Sequence, residues 1–237
     1  MGLHDEYLTH SKFVYSMFKS KQGSNHIATI SSLYNILKLT KENNFSMAVD
    51  IGSGIGTISY LLLKNTDIPV LSFELNSWCI EQQILNLKDL RSHKIYSDLD
   101  DILKLVDNNY LLVIDDYLNW KNLFKILSKR PRFIFIEGYR NKQVAMISFY
   151  LFLKKISAVY FRSNLHEYLN ESKSGSYFQL QSDTSTFEAM ISWLKRSRDT
   201  KEFKEAILAS YFFIRRRISI KSRLAFIKSI FYRETSK

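Results

Sequence analysis

The sequence predicts an α/β chain built on a doubly wound, mostly parallel sheet. Two observations carry this. From Phe45 onward, short apolar runs of strand type alternate with helical segments. Those runs, such as Tyr110-Leu111-Leu112-Val113-Ile114, are almost continuously apolar, as strands covered on both faces must be. A third observation agrees: only seven Gly and two Pro occur in 237 residues, which favours long regular elements over a many-turned β-sandwich.

The first 45 residues read as helical. Tyr7, Leu8, Phe13, Val14, Met17 and Phe18 recur at helical spacing. Gly23-Ser24-Asn25 interrupts the pattern, and Ser24 or Asn25 is suited to cap a second helix. That helix draws its apolar face from Ile27, Ile30, Leu33, Tyr34, Ile36 and Leu37, and Lys41 to Asn44 ends it. The first strand is Met47 to Ile51, followed by a glycine loop and a helix from Thr57 to Lys64. Strands at Pro69–Glu74, Lys94–Ser97, Tyr110–Ile114 and Pro131–Ile136 follow in turn. Helices at Ser77–Leu87, Leu99–Leu105, Leu118–Ser128 and Asn141–Ile156 come after them. Both prolines stand at strand starts, where a missing N–H does least harm. Two further strands, Ala158–Phe161 and Tyr177–Leu180, have little helix between them, which suggests one antiparallel strand. From Thr184 the pattern is helical again.

Composition narrows the function. The chain is long enough for one domain, or one with a small appendage, and its 46% hydrophobic content excludes a disordered protein. A single cysteine, Cys79, excludes an intrachain disulfide framework and a Cys-based zinc site, and a reducing, cytoplasmic compartment is the natural reading. No basic region leading into an apolar run stands at Met1–Glu6, so no secretory leader is expected. The uncharged stretch Gln143–Leu153 is too short for a membrane span, which needs roughly 20 residues. The net charge is +11, but Arg215 to Lys237 holds eight basic residues against one acid, so the rest of the chain is nearly balanced. That distribution argues against a protein that binds nucleic acid over its whole surface.

Three of the seven glycines fall in Gly52-Ser53-Gly54-Ile55-Gly56, between a strand and a helix. Glycines there allow a tight turn and the close approach of a ligand, and the helix start offers N–H groups and the positive end of its dipole. A dinucleotide site wants a third glycine at the position of Thr57, so Gly56 comes one place early. Asp50 lies two residues before the loop. The string Val49-Asp50-Ile51-Gly52-Ser53-Gly54-Ile55-Gly56 resembles the first motif of class I S-adenosylmethionine-dependent methyltransferases, an acid followed by x-G-x-G-x-G. A carboxylate beside the loop suits the ammonium of that cofactor and would repel a pyrophosphate. Glu74 ends the second strand, 24 residues after Asp50, where an acid of Rossmann-type sheets bonds ribose hydroxyls.

The resemblance covers roughly Phe45 to Asp183. It implies a seven-stranded sheet with the last strand inserted antiparallel, and S-adenosyl-L-methionine as cofactor. Residues 1–45 would be an N-terminal helical cap, 46–183 the Rossmann-like cofactor domain, and 184–237 a basic C-terminal helical extension. The cofactor residues would be Asp50, Gly52, Ser53, Gly54, Gly56 and Glu74, with Asp98 on the adenine amino group. Asp98 is equally placed to cap the next helix. Ile114-Asp115-Asp116-Tyr117 stands where the family places its fourth motif. Asp115 is the catalytic candidate, orienting or deprotonating an acceptor hydroxyl. The N/D-P-P-Y/F signature of nucleic-acid amino-methylating enzymes is absent, as is the Asp-Asn pair of metal-dependent O-methyltransferases. No metal is expected. Glu137 and Tyr139 lie at the same sheet edge as candidates for the acceptor pocket, and His166 is a weaker base candidate.

These features point to methyl transfer onto a small-molecule or saccharide-type oxygen. RNA methylation and a non-catalytic binding module are the alternatives. Ile220, Leu224, Ile227 and Phe231 form one helical stripe beside Arg217, Lys221 and Lys228. Residues 215–237 therefore fit a packed terminal helix, an anionic membrane surface at the inner face, or an RNA backbone.

Overall fold

The computed structural model describes residues 3–90, 92–138, 140–154, 156–162, 165, 169–171 and 175–181. The C-terminal extension from residue 184, Tyr139 and His166 lie outside the described residues.

Two helices open the chain, α1 (Leu3–Lys19) and α2 (Ile30–Glu42). The cap of α2 is Thr29, whose side chain accepts the N–H of Ser32, in place of Ser24 or Asn25. Those two residues are used up in a single 3₁₀ turn, Ser24–His26, which ends at an extended Ile27. The chain must therefore begin the helix afresh, and the first residue able to accept an orphan N–H there is Thr29.

Strands and helices then alternate: β1 (Met47–Ile51), α3 (Thr57–Asn65), β2 (Val70–Phe73), α4 (Ser77–Leu87), β3 (His93–Tyr96), α5 (Leu99–Leu105) and β4 (Tyr110–Ile114). After these come α6 (Trp120–Leu127), β5 (Phe133–Ile136), α7 (Asn141–Leu153), β6 (Ser157–Arg162) and β7 (Ser176–Gln181). Three helices start just past strand ends because a polar side chain caps them. Asn76 accepts the N–H of Cys79, Asp98 that of Asp100, and Asn119 that of Asn122. The Asn119 cap explains why α6 begins at Trp120, two residues later than the apolar pattern at Leu118 implies.

The sheet has the order β3-β2-β1-β4-β5-β7-β6. Its first five members are parallel, and β7 runs antiparallel between β5 and β6. Strand order reverses between β1 and β4, and a ligand crevice opens outside the strand ends at such a switch point.

Side chains alternate across the sheet and build a core on each face. On one face Val49, Ile51, Leu71, Phe73, Leu112, Ile114 and Ile134 pack with Ile102 of α5, Leu123 and Ile126 of α6, and Ile147 of α7. On the other, Ala48, Val70, Leu111, Val113 and Phe135 meet Ile58 and Leu61 of α3 together with Val14 and Phe18 of α1 and Leu33, Ile36 and Leu37 of α2. The N-terminal helices thus share one layer with α3 over the sheet. No helix among the described residues is long and apolar enough to cross a membrane.

Phe18 tests that integration. It is fully buried and meets Tyr60 of α3 edge-on at 5.5 Å. Phe18→Ala is expected to cost about 3–5 kcal/mol of global stability in urea unfolding. An unchanged main transition would show that α1 unfolds on its own.

Candidate active site

The turn from β1 to α3 is made by Gly52 to Gly56, and its three glycines answer three different demands. All have positive φ: 74° at Gly52, 54° at Gly54 and 92° at Gly56. A Cβ on Gly52 would lie 2.5 Å from Cβ of Asp116, so this residue lets the loop pass against the end of β4. On Gly56 it would lie 2.9 Å from Cγ of Gln83, so this one lets α3 close on α4. On Gly54 it would meet nothing within 4 Å. The space over Gly54 is open, as a ligand cradle requires.

The loop is tied to β2. Gly52 and Ser53 donate their N–H groups to the carbonyl of Phe73, at 2.9 and 3.3 Å. Glu74 accepts the N–H of Gly54 through Oε2 at 2.8 Å and those of Leu75 and Asn76 through Oε1. The half-buried carboxyl therefore stands beside the open cradle and stitches the two strand ends together. The Ser53 hydroxyl turns inward, donating to Oε1 of Gln83 at 2.9 Å.

Asp50 lies beneath the loop with no exposed surface. Its Oδ2 accepts the Ser59 hydroxyl at 2.7 Å, and its Oδ1 has no hydrogen-bond partner among the described residues. Burial, with a smaller push from the charge of Glu74, raises this carboxyl to about 7, against the pull of the Ser59 bond. An orphaned, fully buried carboxyl oxygen in the strand that leads into an open glycine cradle fits a cationic ligand group. Asp98 is exposed and accepts the N–H of Asp100, which is the helix cap its position allows.

A second group gathers past β4 and β5. Glu137 follows β5 and is 7% exposed. Asp115 follows β4, and its Oδ1 pairs with Nη2 of Arg140 at 2.8 Å, the side chains being 12% and 21% exposed. Arg140 also donates to the backbone carbonyl of Asp115 and lies over the ring of Tyr117. Burial first, then the charge of Glu137, push the Asp115 carboxyl well above the usual carboxylate range, and a hydrogen bond with Glu137 adds to this while Arg140 opposes it. Of the two adjacent acids, Asp115 turns into this group. Asp116 is exposed and accepts the N–H of Tyr117. The start of α2 closes the edge. Ser32 donates to Glu137 at 3.3 Å, while Glu171 accepts the N–H groups of Ile30 and Ser31. Among the described residues no three His, Cys, Asp or Glu side chains gather as a metal site.

Sequence reasoning did not find Arg140, Gln83, Ser59, Ser72 or His93. Two of these had a signal. Ser72 interrupts the apolar run Val70–Phe73, and Ser59 interrupts the apolar start of α3, and a polar residue at a core position must find a partner. Nothing local marks Arg140, whose partner lies 25 residues away.

A glycine cradle at the switch point of a seven-stranded sheet with β7 antiparallel is the arrangement of the class I methyltransferase fold. The chain is similar in structure to an O-methyltransferase from Bacillus cereus in complex with SAH, with a TM-score of 0.54 and 12% identity over 73% of this chain and 91% of that one. It is also similar to a candidate RNA methyltransferase from Pyrococcus horikoshii, with a TM-score of 0.52 and 10% identity over 73% of this chain and all 100% of that one. No protein-family model matches the sequence, and no curated protein matches it. The protein has the class I methyltransferase fold.

The raised Asp50 carboxyl has a consequence for stability. Its folded value of about 7 exceeds the unfolded value of about 3.9, so its contribution is fully present below pH ~4 and is lost as pH rises through about 7. Asp50→Asn keeps an acceptor for Ser59 and removes the titration. Relative to the parent, it should gain about 4 kcal/mol between pH 4 and 8 in urea unfolding. A difference that stays flat with pH would show that Asp50 titrates normally.

Proposed function

We propose that the protein transfers a methyl group from S-adenosylmethionine to a hydroxyl of a small-molecule or saccharide-type acceptor. The observation that carries this is the open space over Gly54, whose N–H is held by the carboxyl of Glu74, together with the orphaned Oδ1 of Asp50 in the strand that leads into the same loop. When bound, the cofactor supplies an electrophilic methyl on a sulfonium. Asp50 balances its ammonium, Glu74 accepts from its ribose hydroxyls, and Gly52 to Gly56 admit it without a Cβ in the way. Asp98 stands at the next strand end for the adenine. The SAH bound to the Bacillus cereus structure supports the same cofactor.

Asp115 orients the acceptor hydroxyl and takes its proton, with Arg140 holding the carboxyl in place. In-line transfer asks little more of the protein than this positioning. At the acceptor edge the Arg140 guanidinium is already taken up by Asp115, and the edge suits a neutral hydroxyl acceptor. RNA methylation is the second reading. The likeness to the Pyrococcus horikoshii protein and the basic residues 215–237 favour it. A cytoplasmic site, with residues 215–237 resting on an anionic inner membrane face, is part of the first reading.

Calorimetric titration with S-adenosylhomocysteine and with NADH tests the cofactor. The first is expected to bind and the second not, and the reverse result would overturn the reading. Asp50→Ala should weaken S-adenosylhomocysteine by about 1.5–3 kcal/mol, the value of an ion-assisted hydrogen bond. Gly54→Val should weaken it by filling the cradle, and Glu74→Gln by loosening the ribose site. Unchanged affinity in all three would remove the site from the loop.

Acceptor turnover, followed as S-adenosylhomocysteine release, should rise with pH as Asp115 ionises above the usual carboxylate range. Asp115→Asn should remove that rise and most of the rate. A pH profile unchanged in this variant would exclude Asp115 as the base.

A further inference from the structure

Six polar side chains form one connected group under the glycine loop. Asp50, Ser59, Ser72 and Gln83 have no exposed surface, and Ser53 is buried. His93 is half-buried on β3, the outermost strand on that side of the sheet. The contacts run in series: Asp50 Oδ2 to Ser59 Oγ at 2.7 Å, Ser59 Oγ to Ser72 Oγ at 2.9 Å, and Ser72 Oγ to His93 Nε2 at 2.9 Å. Gln83 braces the chain, with its Nε2 at 2.8 Å from Ser72 Oγ and 3.2 Å from His93 Nε2.

Resting on the cofactor reading above, we infer that Ser59, Ser72 and His93 are positioning residues for Asp50: they form the path by which this buried carboxyl gives up its proton when a cationic group binds beside it.

The hydrogen bonds have a direction. Beside a carboxylate the Ser59 hydroxyl donates to Asp50, but when Asp50 is protonated on Oδ2 that proton points to Ser59 and frees the Ser59 hydroxyl to donate to Ser72. Ser72, which also accepts from the Gln83 amide, then points its own proton to Nε2 of His93. Nε2, facing two donors, is the acceptor, so the neutral ring carries its proton on Nδ1. The transfer then balances. The Asp50 proton passes to Ser59 Oγ, that of Ser59 to Ser72 Oγ, and that of Ser72 to Nε2. The imidazole releases its Nδ1 proton to water, leaving a carboxylate against the bound cation and a neutral ring. Burial pulls His93 down to about 4, so the ring passes the proton on and does not keep it. The groups facing Asp50 are Ser59 from α3 and Ser72 from β2, with Gln83 of α4 and His93 of β3 behind them. Glu74, past the end of β2, is the charge that acts on it. A carboxyl at about 7 with no path to water would be slow to respond to a ligand.

Calorimetry of the whole protein with S-adenosylhomocysteine, in buffers of different ionisation enthalpy, counts the protons released. About one per ligand is expected at pH 6 and close to none at pH 8.5, with affinity falling about tenfold per pH unit below the Asp50 value. Asp50→Asn should release none. Stopped-flow with a pH indicator and protein fluorescence then tests the path. In the parent the proton appears together with binding, and in Ser72→Ala the same count appears after a lag. Binding without proton release at pH 6, or Ser72→Ala without a lag, overturns the inference and leaves the cofactor reading standing. Failure of the parent to bind the ligand overturns both. The parent's proton count and its solvent isotope effect keep the test decisive if Ser72→Ala does not fold.

Discussion

The turn between β1 and α3 constrains everything around it. β1 sits between β2 and β4, so five residues must reverse direction in a slot with strand ends on both sides. Gly52 touches the residues that follow β4, and Gly56 touches Gln83 and Leu87 of α4. The N–H groups of Gly52 and Ser53 end on Phe73 of β2. With both ends of the loop fixed this way, its middle is held away from the protein. Gly54 faces open space for that reason, and its N–H is held by a carboxylate at the mouth of that space.

Carboxyl groups collect at the same ends of the parallel strands, and each is accommodated by different chemistry. Glu74 receives three backbone N–H groups. Asp115 receives a guanidinium. Asp50 receives one hydroxyl and keeps one oxygen unpaired, with no exposed surface. Burial outweighs the single Ser59 bond and favours the protonated form, and Asp50 lies at about 7 accordingly. A cation brought into contact would restore the missing compensation, which is why the site reads as a receptor for positive charge.

The N-terminal helices serve two ends of one problem. Their apolar faces cover the sheet on the α3 side, through Val14, Phe18, Leu33 and Ile36. The start of α2 meanwhile reaches the edge past β4 and β5, where its N–H groups meet Glu171 and Ser32 meets Glu137. Helix N-termini favour anionic partners through orphan N–H groups and the dipole. The layer that stabilises the sheet thereby also shapes the wall of the site.

The sequence by itself determined the α/β class, the positions of the described strands, the glycine turn and the acids at strand ends. These are local properties: periodicity of two against 3.6, runs of apolar residues, and glycines at a strand-to-helix junction. The strands Met47–Ile51 and Tyr110–Ile114 and the helices Ser77–Leu87 and Leu99–Leu105 stand where the pattern puts them. Only the tertiary structure decided which polar groups meet. Asp115 with Arg140, Asp50 with Ser59 and Ser72, and Gln83 with His93 come from different elements. Their pairing depends on strand order and helix packing, which no short stretch of chain encodes. The same holds for charge, since an aspartate in a sequence is a carboxylate near 4, and burial without a counterion raises Asp50 to about 7.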